Sequence, residues 1–500
     1  MIRLLATTVF GLGLAVLLPG AAVHAQAQRA PGGDEPALPA GLEESPKPKG
    51  EPNLPAGLEE SPGGEPDLPT GLEGPTATRP AKKEPNKPVS FLDAMKDLGF
   101  SGFVEARGGV RTQRDHYEDQ ASIGEARLQL EWERVFKDVR FKVTGDVVYD
   151  QVDPERGHVD LVKGTGWFDL REAWTSFSPV SWMDVKLGRQ VLTWGTGNLL
   201  FVNDLFPKDW QSFFVGRDLE YLKAPSDALK LSVFSGLADV DLVYVPRANP
   251  SRFISGRRIS YYSSMLGRRA GQDAVIRTED RDEWFDDSEW AGRISRKLGS
   301  YELAAYGYWG FWKTPEGFDP LRNLATYPRL NAYGGSIRGP LPRGIVRVEG
   351  AYYDSSQDRQ GDRPFVRNSE VRLLAGYETD LPEIAPELNL DVQYYVELMC
   401  HYDEYVRSLP AGVPARDRGR HVVTIGLTKK LMNQNLTVGL FSYYSPTDGD
   451  AYLRPKVAYK IDDHWTVEVG GNVFFGRSRH TFFAQFARDT NVYASVRYGF

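Results

Sequence analysis

One cysteine in 500 residues, Cys400, excludes an internal disulfide framework, and its position far from the start excludes a lipid tether on an N-terminal cysteine. A basic excess is missing too. Sixty Lys and Arg against 67 Asp and Glu leave a formal charge of −7, which argues against a nucleic-acid partner. Long apolar runs are absent beyond the first residues, and nothing after residue 27 reaches the ~20 apolar residues that a membrane-spanning helix needs. The seven histidines are scattered, without His-x-x-x-His spacing, so no metal site or cofactor is expected. Aromatics, by contrast, are abundant, with 25 Phe, 24 Tyr and 11 Trp.

Residues 1–27 read as a secretory signal: Arg3, an apolar core "LLATTVFGLGLAVLL", then "VHAQA" with cleavage after Ala25 or Ala27. An exported chain without apolar helices can enter a membrane only as a closed barrel, because every backbone polar group must be satisfied in lipid. Residues 28–90 nearly repeat one phrase: "EPALPAGLEESP" from Glu35, "EPNLPAGLEESP" from Glu51 and "EPDLPTGLEGP" from Glu65. This composition cannot bury a core, and a disordered periplasmic linker is expected. As polyproline II it would reach on the order of 200 Å. It is either a spacer or a ligand for a periplasmic partner or peptidoglycan. Residues 91–99 suit a short helix, with Phe91, Leu92, Met95 and Leu98 together, resting at or inside a barrel mouth.

From residue 100 the period is two. In "NVYASVRYGF", Val492, Ala494, Val496, Tyr498 and Phe500 share one face, and Tyr493, Ser495 and Arg497 the other. The same alternation recurs in "EARLQLEWER", "RFKVTGDVVYD" and "LNLDVQYYVEL". One face is apolar and aromatic-tipped and the other charged, as in a wall between lipid and water. Short links ("VFKDV", "SPVSW", "SGLA", "KLGS", "GPLPRG", "LPEIAPE", "KKLMNQN", "DDHW") alternate with long charged segments such as 191–227, 247–288 and 400–418. The expectation is an all-β fold: a transmembrane antiparallel β-barrel of about 18 strands over residues 100–500, preceded by the disordered Pro-rich repeats. Its place would be the outer membrane of a Gram-negative cell, among lipid and lipopolysaccharide, with both termini periplasmic and the terminal Phe500 presented to the barrel-assembly machinery.

The presumed lumen face mixes signs, with Arg107, Arg111, Arg127, Arg140, Arg347, Arg372 and Arg497 against Glu105, Glu131, Asp146, Glu349, Glu370 and Asp391. Such charges on facing walls would set a transverse field that orients a solute. The stretch from Leu170 reads as a hairpin, Leu170–Phe177 and Met183–Gln190, running into segment 191–227, which is apolar, aromatic and Gly/Pro-punctuated, unlike a solvated loop. Either it packs over the rim, or it folds back into the pore and brings Arg189, Trp194, Asn203, Asp204, Lys208 and Asp209 near a passing solute. A glycine bulge at Gly188 would turn Arg189 inward; otherwise Arg189 pairs with Glu172 across the hairpin. Of Arg171 and Glu172, only one is expected to face the lumen. His421, on a face with Val423, Ile425 and Leu427, reads as interfacial rather than catalytic, and no enzyme is expected. The loop 277–290 clusters seven carboxylates, as a solvated loop or a site for a divalent cation or lipopolysaccharide.

"LREAW", "GRQVLTWG" and "ND" followed by "FP" and "DW" resemble the outer-membrane barrels of the alginate export family and related porin-like barrels of unassigned function. The resemblance spans roughly residues 100–500, with its specific motifs inside 170–210. It implies an eighteen-stranded, arginine-lined export channel, from which this chain's mixed lumen departs. The function expected is a channel for passive, partly selective passage of a polar or charged solute, with oligo- and polysaccharides among the candidates. The alternative is a plugged barrel that anchors or binds in the envelope through its repeat tail. An uptake path for hydrophobic compounds would need an apolar lumen, which these strands do not supply.

Overall fold

The computed structural model describes residues 95–500 other than 154 and 156. The signal, the repeats and residues 91–94 of the expected helix lie outside the described residues; residues 95–97 are helical.

Eighteen antiparallel strands form one closed sheet, as the alternating pattern predicts. In chain order they begin β1 (Phe100–Arg111), β2 (Ala121–Phe136), β3 (Val139–Asp150), β4 (Phe168–Val180), β5 (Met183–Val191) and β6 (Pro225–Phe234). Next come β7 (Asp239–Val245), β8 (Glu289–Leu298), β9 (Tyr301–Phe311), β10 (Arg329–Leu341), β11 (Gly344–Ser355) and β12 (Glu370–Asp380). The last six are β13 (Leu388–Met399), β14 (Gly419–Leu431), β15 (Leu436–Ser445), β16 (Asp450–Lys460), β17 (Trp465–Gly476) and β18 (Asn491–Gly499). β1 pairs with β18 from Phe103 opposite Gly499 to Arg111 opposite Asn491, and Phe500 exchanges both backbone hydrogen bonds with Gly102, at 3.1 and 3.0 Å. All eight short links are turns at one end, and the long segments lie at the other.

Burial alternates as a barrel wall requires. On β1, Val104 and Val110 are exposed outward while Glu105, Arg107 and Arg111 are buried inward. The outer face carries two aromatic rings. Phe136, Phe141, Phe177, Trp182 and Trp465 are exposed at the short-turn end. Tyr149, Trp290, Trp309, Tyr352 and Tyr394 are exposed at the long-loop end. His421 stacks on Tyr394 in the second ring, centroids 5.9 Å apart, where an interfacial residue belongs.

Two local expectations fail. The register runs unbroken through Gly188 on both sides, with Arg189 opposite Ala173 and Asp227, so no residue is inserted there although Gly188 has φ +120°. The bulge lies instead on β4. Thr144 faces Glu172 and Gly145 faces Leu170, which leaves Arg171 as the extra residue. A bulge puts two consecutive residues on one face, so Arg171 and Glu172 both point inward, contrary to the expectation that only one would.

Candidate solute pathway

The segment between β5 and β6 folds into the barrel and crosses the lumen. Its own chemistry drives this. Val202, Phe206, Phe213 and Phe214 have no water-facing option once packed, and all are at most 4 % exposed. They meet aromatics that β15–β18 turn inward: Phe214 lies 5.4 Å from Tyr452 and 5.1 Å from Phe474, ring to ring. A short helix, α1 (Trp210–Val215), is capped by the Asp209 carboxylate, which accepts from Ser212 N at 2.7 Å. It stops at Gly216 (φ +90°), where a Cβ would strike the Tyr493 ring.

Inward polar groups fasten the segment all round. Glu349 on β11 accepts from Gly197 N at 2.7 Å, Thr196 Oγ1 at 2.8 Å, Asn203 Nδ2 at 2.8 Å and Thr196 N. On β13, Gln393 accepts from Asn198 N at 2.7 Å, and Asp391 accepts from Asn198 Nδ2 at 2.8 Å. Tyr353 donates to Val202 O at 2.6 Å, and Tyr443 to Leu199 O at 2.8 Å. Arg107 donates to Gly216 O at 2.6 Å. None of these partners adjoins the segment in sequence.

Most of the expected constriction residues meet here. Trp194 packs on Phe206 at 5.0 Å and on Tyr306 at 6.1 Å. Asp204 takes Lys208 at 2.9 Å, and Lys208 sits over the Phe201 ring. Asp209 pairs with Arg252 at 3.2 Å, and Arg252 also grips Asp169 at 2.8 Å. Arg171 lies over Tyr221 and donates to Glu220 O at 2.9 Å. Glu172 stands apart, toward the short-turn end, where Lys142 bridges it to Glu131 at 3.0 and 3.1 Å. Arg189 neither joins the inserted segment nor pairs with Glu172. It pairs with Asp227 at 3.1 Å and donates to Leu161 O at 3.3 Å.

The expected lumen residues Glu105, Arg107, Arg127, Asp146, Arg347 and Asp391 are all buried inside. Arg372 lies over Tyr353 at 4.0 Å. Arg497 pairs with Glu105 at 2.9 Å, and Arg140 sits exposed at the short-turn rim beside Glu133 at 3.6 Å. The signs do not face each other across the bore. Arg107 pairs with Glu105 at 3.0 Å on its own strand and Glu468 at 3.2 Å, and Arg127 with Glu125 at 2.7 Å and with Asp146. Neutralisation between neighbours replaces the expected transverse field, because ion pairs at contact outweigh ones separated by a lumen. In loop 277–290, Arg281 takes Glu279 at 2.8 Å and Asp287 at 3.2 Å, and Lys313 takes Glu289 at 2.5 Å.

At the long-loop end, the space above the inserted segment is a cavity of about 430 Å³. Its walls are mainly aromatic and aliphatic, among them Phe201, Trp210, Phe214, Trp312, Tyr395 and Phe483. The expectation that the strands supply no apolar lining is thereby corrected: the inward strand residues Leu330, Tyr353, Tyr395, Val422 and Tyr443 line the cavity together with the inserted segment. Nearby, segment 258–269 is clamped over the rim: Arg269 to Asp115 at 2.7 Å and Asp489 at 3.3 Å, and Ser260 to Asp489 at 3.0 Å. Burial pushes the Asp489 carboxyl up to about 6, against the pull of Arg111 and Arg269, and pushes Glu118 up to about 8.

Sequence reading singled out neither Glu349 and Gln393 as anchors nor the inward aromatics Tyr353, Tyr395, Tyr443, Tyr452 and Phe474. The available signal was parity: Tyr353, Tyr395, Tyr452 and Phe474 fall on the charged side of their strands, and Tyr443 on the face of Thr437 and Ser445, where contact with lipid cannot explain them.

The fold is a closed, eighteen-stranded antiparallel β-barrel with an inserted segment. No family model and no curated protein matches the chain. Among solved structures it is similar to OccAB4 of Acinetobacter baumannii, at TM-score 0.48 and 9% identity over 80% of this chain and 97% of that one. OccAB3 of the same organism gives TM-score 0.47 and 10% identity over 80% and 98%. OccK11 (OpdR) of Pseudomonas aeruginosa gives 0.46 and 9% over 81% and 96%. The likeness to alginate exporters rests on the motif residues within 170–210 alone.

Proposed function

We propose that the chain is an outer-membrane channel of restricted bore, with passage of a polar solute governed by the inserted segment. The membrane assignment is carried by the two aromatic rings. On β3, Phe141 and Tyr149 are eight residues apart, which at a barrel tilt near 40° is a height of roughly 20 Å, close to the apolar band of such barrels. In this reading the short turns, both termini and the repeat tail are periplasmic, and Phe500 serves assembly.

Toward the short-turn end the lumen is polar, with Lys142, Glu131, Glu172, Lys230 and Asp241 partly exposed. Because each of these charges has an opposite neighbour, discrimination is by size and hydrogen bonding more than by sign, and an oligosaccharide remains within the class. The test is swelling of proteoliposomes in neutral sugars, amino acids and organic acids of graded size. Small polar solutes are expected to enter with little preference for sign. The fastening of the segment to wall strands all round favours a second reading, a plugged envelope anchor. Liposomes that stay silent both for the full chain and after shortening of residues 193–208 would establish that second reading.

A further inference from the structure

We infer that the aromatic cavity above the inserted segment is a binding site for a neutral, flat-ringed, apolar solute. This goes beyond the channel reading, whose solute is polar. At about 430 Å³ the cavity has the size of a small-molecule site. Its long-loop end is built from segments far apart in sequence: Phe201 and Trp210 from the inserted segment, Ile254 and Trp312 from two outer loops, and Phe483 from a third. Rings stand at several angles around the space, which suits a flat apolar body held by edge and face contacts.

Charge excludes an anion as the preferred occupant. Five cations line the space, and each already has its acid. Lys208 holds Asp204 at 2.9 Å, and Lys313 holds Glu289 at 2.5 Å. Arg367 holds Glu316 at 2.8 Å and Glu370 at 3.0 Å, and Arg372 also holds Glu370. Arg420 holds Asp448 at 2.7 Å. The tyrosine hydroxyls are spent in the same way: Tyr353 and Tyr443 on the inserted segment, Tyr395 on Glu397 at 2.9 Å. The Arg420 guanidinium also lies over Phe482 at 4.8 Å, and its Nη2 is buried away from the open space, so it offers an occupant no free donor.

The probes are naphthalene (neutral and flat) and 2-naphthoate (the same shape with a carboxylate). Binding to the purified full chain is followed by quenching of tryptophan fluorescence, with Trp210 and Trp312 in the wall. Naphthalene is expected to bind saturably, and about tenfold more tightly than 2-naphthoate. Leu200→Trp, which fills the space without touching an ion pair, should abolish naphthalene binding. Tighter binding of the carboxylate, or naphthalene binding unaffected by Leu200→Trp, would overturn the inference. Single-channel recording on the same preparations separates this from the channel reading. Conductance without saturable naphthalene binding removes the site and leaves the channel; saturable binding without conductance does the reverse.

Discussion

Glu349→Ala should release the inserted segment while leaving the barrel closed. The carboxylate is 1 % exposed and accepts four hydrogen bonds from Thr196, Gly197 and Asn203. At about 1.5 kcal/mol each, the low end for bonds to a charged group, these total about 6 kcal/mol. Water entering the vacated space re-satisfies roughly half, which leaves a loss of about 3 kcal/mol in local anchoring. That is roughly two decades in the opening equilibrium of residues 193–203. Hydrogen exchange with mass-spectrometric readout measures it: exchange in that segment should rise by about a hundredfold, while β11 and its neighbours stay protected. Unchanged exchange in a correctly folded variant would show that the segment is held by apolar packing alone, and would refute the anchoring role of Glu349.

The rim clamp should respond to pH. Asp489 and Glu118 both titrate above their ordinary values, so the folded state holds protons that the unfolded chain has lost. The stability they contribute is complete below about pH 4 and declines as pH rises to about 8; Glu118→Gln should flatten the upper part of exchange-detected opening of segment 258–269 with pH, and a slope that survives would reject the assignment. Arg189→Glu sets two acids side by side with Asp227 and should lower resistance to unfolding by about 1 kcal/mol, with recovery on adding Asp227→Arg. Failure of that double variant to recover in urea titration would show that the pair is not what fixes Arg189. Deleting Phe500 removes two backbone bonds to Gly102 at the closing seam, and the yield of folded, heat-modifiable protein should fall; a normal yield would count against a role in closure and assembly.

What could be read from the sequence was whatever depends on neighbours along the chain. Period-two alternation placed the strands, and Gly, Pro, Asp and Asn placed all eight short turns. Alternation also placed Glu105, Arg107, Asp146 and Asp391 inside. The bulge at Arg171 could not be read, because it shows only as a mismatch with Thr144 and Gly145 on the adjacent strand. The anchoring of segment 192–224 was hidden for a related reason, since Glu349 and Thr196 are 153 residues apart and nothing local announces their meeting. The charge pattern misled in one respect. Arg127 and Glu125 have the same parity, and what looked like facing walls is one ladder of contacts along the same wall.

The central claim, a channel narrowed by its own inserted segment, is most directly tested by single-channel conductance in planar bilayers. The full chain is compared with a variant in which a short Gly-Ser link replaces residues 193–208. Discrete steps of low conductance are expected from the full chain, and severalfold larger steps from the variant. Equal conductance from the two proteins, or silence from both, would contradict it.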